Sequence, residues 1–527
     1  MEEQIRKHEK ALIDLKRARN ALLNISTLPP EVLGNIFQWN VTLKNDFDGL
    51  EKGSHNFLLC CHHWHEVALH TPRIWSFWGN TLADWARLYR RSSTAPLDLV
   101  LCLQYGNDDN DSDDHGGYGP FGVALHETLQ DRAARDTIRR IHLWSEDTSL
   151  LSSIISSLTT ACKGVRSNSV ESLILVQEFE GPLDISDFFA NCRFPKLQHL
   201  RLSGCSITSW GLLTSRTTVL TTLSLHFYDS PPTPTTSQVL SILTSNPTLR
   251  KLSLSEYAIP DDGGGESSLR VPLHHLKELE LDGGLQHVFR LLHRLDHPAK
   301  MDHLKITLSD CAVTDIPQTI GPYLRDHFRR RGRSRDGLGL RVAQLGRHIT
   351  LYAGNMGGAS SPGLIAYPSR FVSVTMELDQ TPGDLLEKGV LDLIANTPRD
   401  EIVHFVPSCR LAAVEDISAQ FPNLRTLRFE TGEIPLPTIF PELKVGGNEV
   451  VLPSLQQIEF LRRPDDDDWS PLTTFLAHRA SSGDRLGSLT IIYSHLCPEV
   501  QERIRSTVQT FHHFDSTGRC PFGTCPE

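Results

Sequence analysis

LQHLRLSGCSI, running from Leu197 to Ile207, decides how most of this chain is read. Leucines at 197, 200 and 202, then Cys205 and Ile207, follow the order L-x-x-L-x-L-x-x-C-x-I. Alternation around Leu200 and Leu202 is that of a strand with one buried face. The same phase returns in IRRIHLW from Ile138, VESLILV from Val170, LTTLSLHF from Leu220, LRKLSLSEYAI from Leu249, LKELELDGGL from Leu276 and MDHLKITL from Met301. These starts lie 23 to 32 residues apart, and LRTLRFETGEI, LQQIEF and LGSLTIIY, from Leu424, Leu455 and Leu486, repeat at 31.

The segments between them, DISDFFANCRFP, SQVLSILTSNP, LQHVFRLLHRLDHP and GVLDLIANTP, carry helical patterning and stop near a proline. A strand followed by a helix, repeated with one apolar face each, buries its surface only against its neighbours. The pattern matches the leucine-rich repeat. It predicts an irregular solenoid, a curved parallel sheet with helices on the convex side. The competing reading is a conventional α/β domain with recurrent buried strands; the frequency of the L-x-x-L-x-L phase favours the solenoid.

Outward-pointing residues of such strands alternate with the leucines. Arg140, His142, His199, Arg201, Lys251, Glu278, Glu280, His303, Lys305 and Arg428 are therefore expected on one polar face, basic toward the first repeats and acidic near Glu278. That face is the candidate surface for binding a protein substrate, whose identity the sequence does not disclose.

Three segments interrupt the pattern. GNDDNDSDDHGGYG at 106–119 reads as an acidic, Gly-rich loop without the Gly and Glu order of a calcium loop. RDHFRRRGRSRD at 325–336 reads as a solvated basic insertion loop, with a nuclear-import signal or a phosphopeptide patch as the alternative. DDDD at 465–468 is a further solvated loop.

The first eighty residues follow different rules. EEQIRKHEKALIDLKRARNALLN at 2–24 has no Gly or Pro and predicts a solvated leader helix, its thin Ile5, Leu12, Leu15, Leu22 stripe broken by Arg19. In STLPPEVLGNIF, Ser26 or Thr27 precedes a helix started by Pro30, with Glu31 near its positive end and Val32, Leu33, Ile36 and Phe37 as its apolar residues. After a polar loop comes FLLCCHHWHEVALHTPRIW, from Phe57 to Trp75. Its CCHHWH centre is rich in metal-ligand types. Spacing of Phe57, Cys60, Cys61, Trp64, Val67 and Ala68 nevertheless predicts one helix with both cysteines on the buried stripe. Zinc would need further ligands at C-x2–4-C or H-x3–5-H spacing, and the nearest, Cys520 and Cys525, have no histidine beyond them. No metal and no cofactor are expected. Pro72 then starts a third short helix carrying Ile74 and Trp75. Three short helices bury little by themselves, so such a module wants a partner.

LPPEVLGNIF followed by LCCHHWHEVALHTPRIW resembles an F-box, in particular the version common in fungal proteins, LPxEILxxIF … VCxxWRxLALxTPxLW. Leu28, Pro29, Glu31, Val32, Leu33, Ile36, Phe37, Cys61, Trp64, Ala68, Thr71, Pro72 and Trp75 match in order. Cys60 replaces a usual valine and His65 a usual arginine. The resemblance covers residues 26–78, and with the repeats the chain resembles leucine-rich-repeat F-box proteins. It implies a substrate-recognition adaptor whose F-box docks the Skp-family linker of a cullin–RING ubiquitin ligase. Leu28, Pro29, Val32, Leu33, Ile36 and Phe37 would face that partner, with Cys61, Trp64 and Trp75 completing the module. The alternative is a binding scaffold that recruits no ligase.

The expected organisation is a leader helix at 1–25, the F-box at 26–80, a connector with the acidic loop at 81–135, the repeat domain at 136–510 and a tail at 511–527. At 527 residues the chain exceeds what one core fills. A net charge of −11 and a pI near 6.1 argue against a dedicated nucleic-acid or anionic-membrane binder. The start is charged, no apolar run reaches membrane-spanning length, and eleven cysteines are scattered irregularly, which together predict a cytoplasmic or nuclear protein with reduced thiols. G-x-S-x-G, phosphate-loop, H-E-x-x-H and G-x-G-x-x-G patterns are all missing, and GASSPG at 358–363 has the wrong spacing for a nucleophile elbow, so a non-catalytic role is expected.

Overall fold

A computed structural model describes residues 1–43, 56–78, 92, 95–103, 137–163, 169–178, 181–208, 210–216, 219–227, 234–255, 258–259, 270–298, 301–312, 314–331, 338–345, 348–354, 371–378, 393–408, 417–418, 420–429, 436–440, 452–461, 468–492 and 496–514. The acidic loop at 106–119, GASSPG, residues 332–336 of the basic run, Asp465–Asp467 and the cysteines 520 and 525 lie outside them. The chain divides into two compact units, Met1–Leu273 and His274–Glu527.

The first unit opens with α1 (Glu2–Ala21), a helix whose Ile5, Leu12, Ile13 and Leu15 are exposed. Ser26 and Thr27 fall in a 3-10 turn, and Pro30 begins α2 (Pro30–Leu43). With α3 (His62–Leu69) and the 3-10 turns Asn56–Leu59 and Pro72–Ile74, α2 closes a small core of Leu33, Phe37, Phe57, Val67, Ala68, Ile74 and Trp75. Phe37 stacks on Phe57 with ring centroids 4.5 Å apart. Trp75 Nε1 donates to the Ala68 carbonyl at 2.7 Å, which satisfies the indole where it is buried. A Cβ at Gly34 would lie 3.0 Å from Thr71 Oγ1, so glycine lets α2 approach this segment closely.

The CCHHWH stretch departs from its expected single helix. Cys61 is extended, at φ −161° and ψ 165°, and its sulfur accepts from Trp64 N at 3.5 Å as the N-cap of α3. The break turns Cys60 outward into solvent and leaves Cys61 half-buried. Neither cysteine belongs to a buried stripe, because the periodicity spans two short helical pieces instead of one. His62 pairs with Glu66 at 3.8 Å, and the His65 ring meets the Leu58 carbonyl at 3.4 Å.

From here the unit is a parallel sheet. β1 (Phe77–Trp78) pairs with β2 (Leu97–Leu103), β2 with β3 (Ile138–Ser145), and β3 with β4 (Ser172–Gln177). The ladder continues through β5 (His199–Ser203), β6 (Thr222–His226) and β7 (Lys251–Ser255), every pairing parallel. The register aligns Leu99, Ile141, Leu173, Leu200, Leu223 and Leu252, and two residues on Leu101, Leu143, Leu175, Leu202, Leu225 and Leu254. Both rows are buried. β2 lies within the span expected to be a connector: LDLVLCL alternates as a strand, but Leu97 precedes Leu99 by two residues where the repeats have three.

Helices α4 (Thr148–Cys162), α5 (Ser186–Asn191), α6 (Gly211–Arg216) and α7 (Thr236–Ser245) follow β3 to β6, and each packs on the next. Asp147 caps α4 by accepting from Ser149 N and Leu150 N, and Thr235 with Gln238 forms a capping box on α7. Asn246 ends α7 by donating to the Ile242 carbonyl at 2.8 Å while accepting from Leu220 N at 3.2 Å, which ties the helix end to the entry of β6. Gly204, at φ +63°, leaves β5, and a Cβ there would lie 2.1 Å from the Gln177 carbonyl oxygen. Cys205 beside it is fully buried, and burial pushes its thiol up to about 12, so it packs as a hydrophobe.

In the second unit β8 (Glu278–Gly284) leads into α8 (Leu285–Arg294) and pairs in parallel with β9 (His303–Cys311). α9 (Gly321–Arg331) follows. Part of the basic run is therefore helix and not loop, since Leu324, His327 and Phe328 at i, i+3, i+4 are buried between outward arginines. β10 (Leu338–Leu345), β11 (His348–Gly354) and β12 (Phe371–Leu378) make an antiparallel excursion where the repeat signal fades, with β12 returning parallel to β9. β10 pairs in parallel with β13 (Ile402–Ser408), and the parallel order resumes through β14 (Thr426–Phe429), β15 (Gln457–Phe460), β16 (Leu486–Ile492) and β17 (Val508–Phe514). β17 carries the sheet past residue 510 into the span expected to be a tail. α10 (Leu436–Ile439), α11 (Ser470–Ser481) and α12 (Pro498–Thr507) connect the later strands. Both units are mixed α/β with a mostly parallel sheet.

Candidate functional site

Two surfaces stand out. The first is on α2, whose residues divide between two apolar faces. Leu33 and Phe37 point inward, 0% and 1% exposed, whereas Val32 and Ile36 are 41% and 44% exposed and Trp39 is 66% exposed. Positions 32, 36 and 39 follow i, i+4, i+7, one outward stripe on a helix that already has a closed core behind it. Pro29 is exposed beside it, and Leu28 and Trp64 are partly buried against the core. The six residues expected to face a partner therefore divide by burial. Leu33 and Phe37, with Trp75, hold the module together, and only Pro29, Val32 and Ile36 lie open. Trp39 was missed, although its place seven residues after Val32 continues the stripe.

The second surface is the polar side of the sheets. In the first unit, register aligns Asp98, Arg140, Ser172, His199, Thr222 and Lys251 in one row, and Val100, His142, Ile174, Arg201, Ser224 and Ser253 in the next. The five polar-face residues expected from β3, β5 and β7 do share one face. The His142 ring bonds Ser172 Oγ at 2.9 Å and the His199 ring bonds Thr222 Oγ1 at 3.0 Å. Asp98, buried, takes a two-pronged contact from Arg139 at 3.1 and 3.3 Å and stands 3.8 Å from Arg140 Nη1. Arg140 and Arg201 are exposed.

In the second unit the expected face is closed on itself by ion pairs. Lys305 Nζ meets Glu280 Oε1, and Arg428 Nη1 lies 3.7 Å from Glu459 Oε2 on the neighbouring strand. Glu278 stands opposite His303. Glu459 was missed, though it occupies the same slot in LQQIEF that Arg428 occupies in LRTLRF. Partly exposed pairs of this kind contribute little stability, but they consume the charges a ligand would need.

Burial, then the Arg140 charge, then His199, push the His142 imidazole down to about 4, and burial followed by Arg140 lowers His199. Both rings are therefore neutral at neutral pH, and the arginines carry the charge of this face. The linkage has a sign. The unfolded chain takes up a proton near pH 6.5 that the folded His142 refuses until about 4, so stability is complete above 6.5 and falls as pH drops toward 4. The full loss is up to about 3 kcal/mol. Urea midpoints measured at pH 7.5 and pH 4.5 should differ less in His142→Asn than in the native chain.

Among the described residues, no group of three or more His, Cys, Asp or Glu side chains is placed to hold a metal ion. Also among them, no helix is long and apolar enough to cross a membrane. No family model and no curated protein matches the chain.

Proposed function

We propose that residues 26–80 act as an F-box that docks a Skp-family adaptor, and that the strands and helices from β3 onward act as a leucine-rich-repeat solenoid that holds a protein substrate for a cullin–RING ubiquitin ligase. One observation carries this reading: α2 keeps Val32, Ile36 and Trp39 open to solvent although Leu33 and Phe37 already complete the internal core. An apolar stripe on a helix so placed suits a helix-packing partner. Parallel pairing of β2 to β7 in chain order, each strand bringing the same leucine columns, supports the solenoid. Such an adaptor contributes effective concentration: it holds a substrate lysine near a ubiquitin-charged enzyme and supplies no side-chain chemistry of its own.

The test is capture of a Skp-family adaptor by the full chain. Val32→Asp combined with Ile36→Asp should lower affinity by at least about 2 kcal/mol, roughly thirtyfold, because both charges enter the centre of the contact. The thermal midpoint should hold, since neither side chain is buried in the core. Equal capture by the double variant, or none by the native chain, would leave the chain as a binding scaffold that recruits no ligase.

A further inference from the structure

Charge is distributed unequally over the polar strand faces of the two units. On the second, Lys305 and Arg428 are met by Glu280 and Glu459 across the strands. On the first, Arg201 has no ionic partner among the described residues, and Asp98, nearest to Arg140, already takes the closer, two-pronged contact from Arg139. This local excess of positive charge sits in a chain of net charge −11. Desolvation is not its cause, because both arginines are exposed.

Register gives the patch a shape. Arg140 lies opposite Ser172, and Ser172 opposite His199; two residues on, His142 lies opposite Ile174, and Ile174 opposite Arg201. The four larger side chains stand at the corners of a rectangle about 10 Å by 7 Å, two strand spacings by one two-residue step. Its floor is the short Ser172, held by its bond to the His142 ring, and the half-buried Ile174. The guanidinium groups are at diagonal corners. Trp144 continues the same face one step beyond His142 and is half-buried.

We propose that this trough on β3, β4 and β5 binds an extended acidic peptide segment of a partner protein. Its Asp or Glu carboxylates would lie between Arg140 and Arg201. Carboxylates four residues apart in an extended chain are spaced about 13 Å, close to the diagonal of about 12 Å between the two guanidinium corners. Each guanidinium presents a planar fork that matches a carboxylate, and Trp144 supplies an aromatic contact alongside. A nucleic acid fits less well, since phosphate-backbone binding draws on a longer track of cations than two arginines supply. The inference rests on reading the repeat sheet as a protein-binding surface, and it names the substrate class for that surface.

Fluorescence anisotropy of the full chain with a labelled Glu-Ser repeat peptide tests it. Binding is expected for this peptide and not for its Gln-Ser counterpart, and it should weaken as salt rises to about 0.15 M, where the screening length is about 8 Å. Arg140→Glu with Arg201→Glu should reduce affinity at least about tenfold, the order expected when like charges replace complementary ones. Arg140→Gln with Arg201→Gln removes the charges without setting a carboxylate against Asp98, and it should show the loss too. Arg193→Glu with Arg250→Glu, an equal charge change at exposed positions of the same unit, should leave binding unaltered. The proposal is overturned if the native chain ignores the Glu-Ser peptide, if the Arg140/Arg201 variants bind it normally, or if the control pair weakens it equally. Tighter binding of single-stranded DNA, lost in the same variants, would assign the trough to nucleic acid instead. Capture of the Skp-family adaptor should be unchanged throughout, so failure here is separable from failure of the docking stripe.

Discussion

Arg479→Ala should destabilise the second unit by about 3–5 kcal/mol, the range for removing one member of a buried charged network. Arg479 lies on α11 and is 1% exposed. Its Nη1 donates to the Leu452 carbonyl at 2.5 Å, and its Nη2 donates to the Leu455 carbonyl at 3.0 Å and to Asp484 Oδ2 at 2.8 Å. Leu452 sits at φ 56°, a left-handed conformation that a leucine adopts at a cost. The turn from Leu452 to Leu455 enters β15, so the guanidinium fastens a strained corner from inside the protein. Burial lowers the Arg479 pKa and Asp484 opposes the shift, yet a guanidinium stays protonated at any ordinary pH. Removing it takes a donor from both carbonyls, leaving Leu452 O with its bond from Leu455 N alone, and opens a cavity. Arg479→Met refills the volume but not the bonds, and Arg479→Lys keeps one charge without the fork, so the losses should run Ala, Met, Lys in decreasing order. Asp484→Ala should cost less than Arg479→Ala, because Asp484 is 39% exposed and water replaces its partner. Urea denaturation read by hydrogen exchange at β15 and β16 measures the series. Full protection of those strands in Arg479→Ala would contradict the account.

Phe37→Ala should be the most damaging single change in the N-terminal module, at about 3–5 kcal/mol for a buried aromatic. The ring stacks on Phe57 and touches Trp64 at 5.2 Å, so it joins α2 to both pieces of the FLLCCHHWH segment. So few buried residues surround it that a loss of this size exceeds what the remainder can hold. Hydrogen exchange should show residues 57–75 unprotected while β3 to β7 keep their protection. Ile36→Ala, one residue away and 44% exposed, should change stability by no more than about 0.5 kcal/mol. The contrast separates holding the module together from contacting a partner. A Phe37→Ala chain with native protection at Trp75 would remove the basis for it.

The strands of both units were legible in the sequence wherever L-x-x-L-x-L recurs. Every such segment, from IRRIHLW to LGSLTIIY, is a parallel strand whose leucines are buried, because alternation in a short window is a direct image of a two-faced element. The helices after DIS, SQV and LQH were legible for the same reason. What escaped depends on partners distant in the chain. β2 and the antiparallel β10 to β12 alternate as strands but lack the L-x-x-L-x-L phase, and their place in the sheet comes from neighbours distant in the chain. α9 hides Leu324, His327 and Phe328 within arginines, and only packing reveals which side is covered. Cys60 and Cys61 fit a helical stripe that the extended backbone at Cys61 interrupts.

The same limit governs the candidate surfaces. Sequence alone determined that α2 is apolar on Val32, Leu33, Ile36 and Phe37, and that Arg140, Arg201, Lys305 and Arg428 point away from the leucines. Tertiary structure decided which of α2's two apolar faces the chain covers for itself, leaving Val32, Ile36 and Trp39 open. It also decided that Arg428 meets Glu459 and Lys305 meets Glu280, while Arg201 meets no counter-charge among the described residues. The physical reason is register: periodicity sets the direction of a side chain, but its neighbour across the sheet is set by how segments tens of residues apart align.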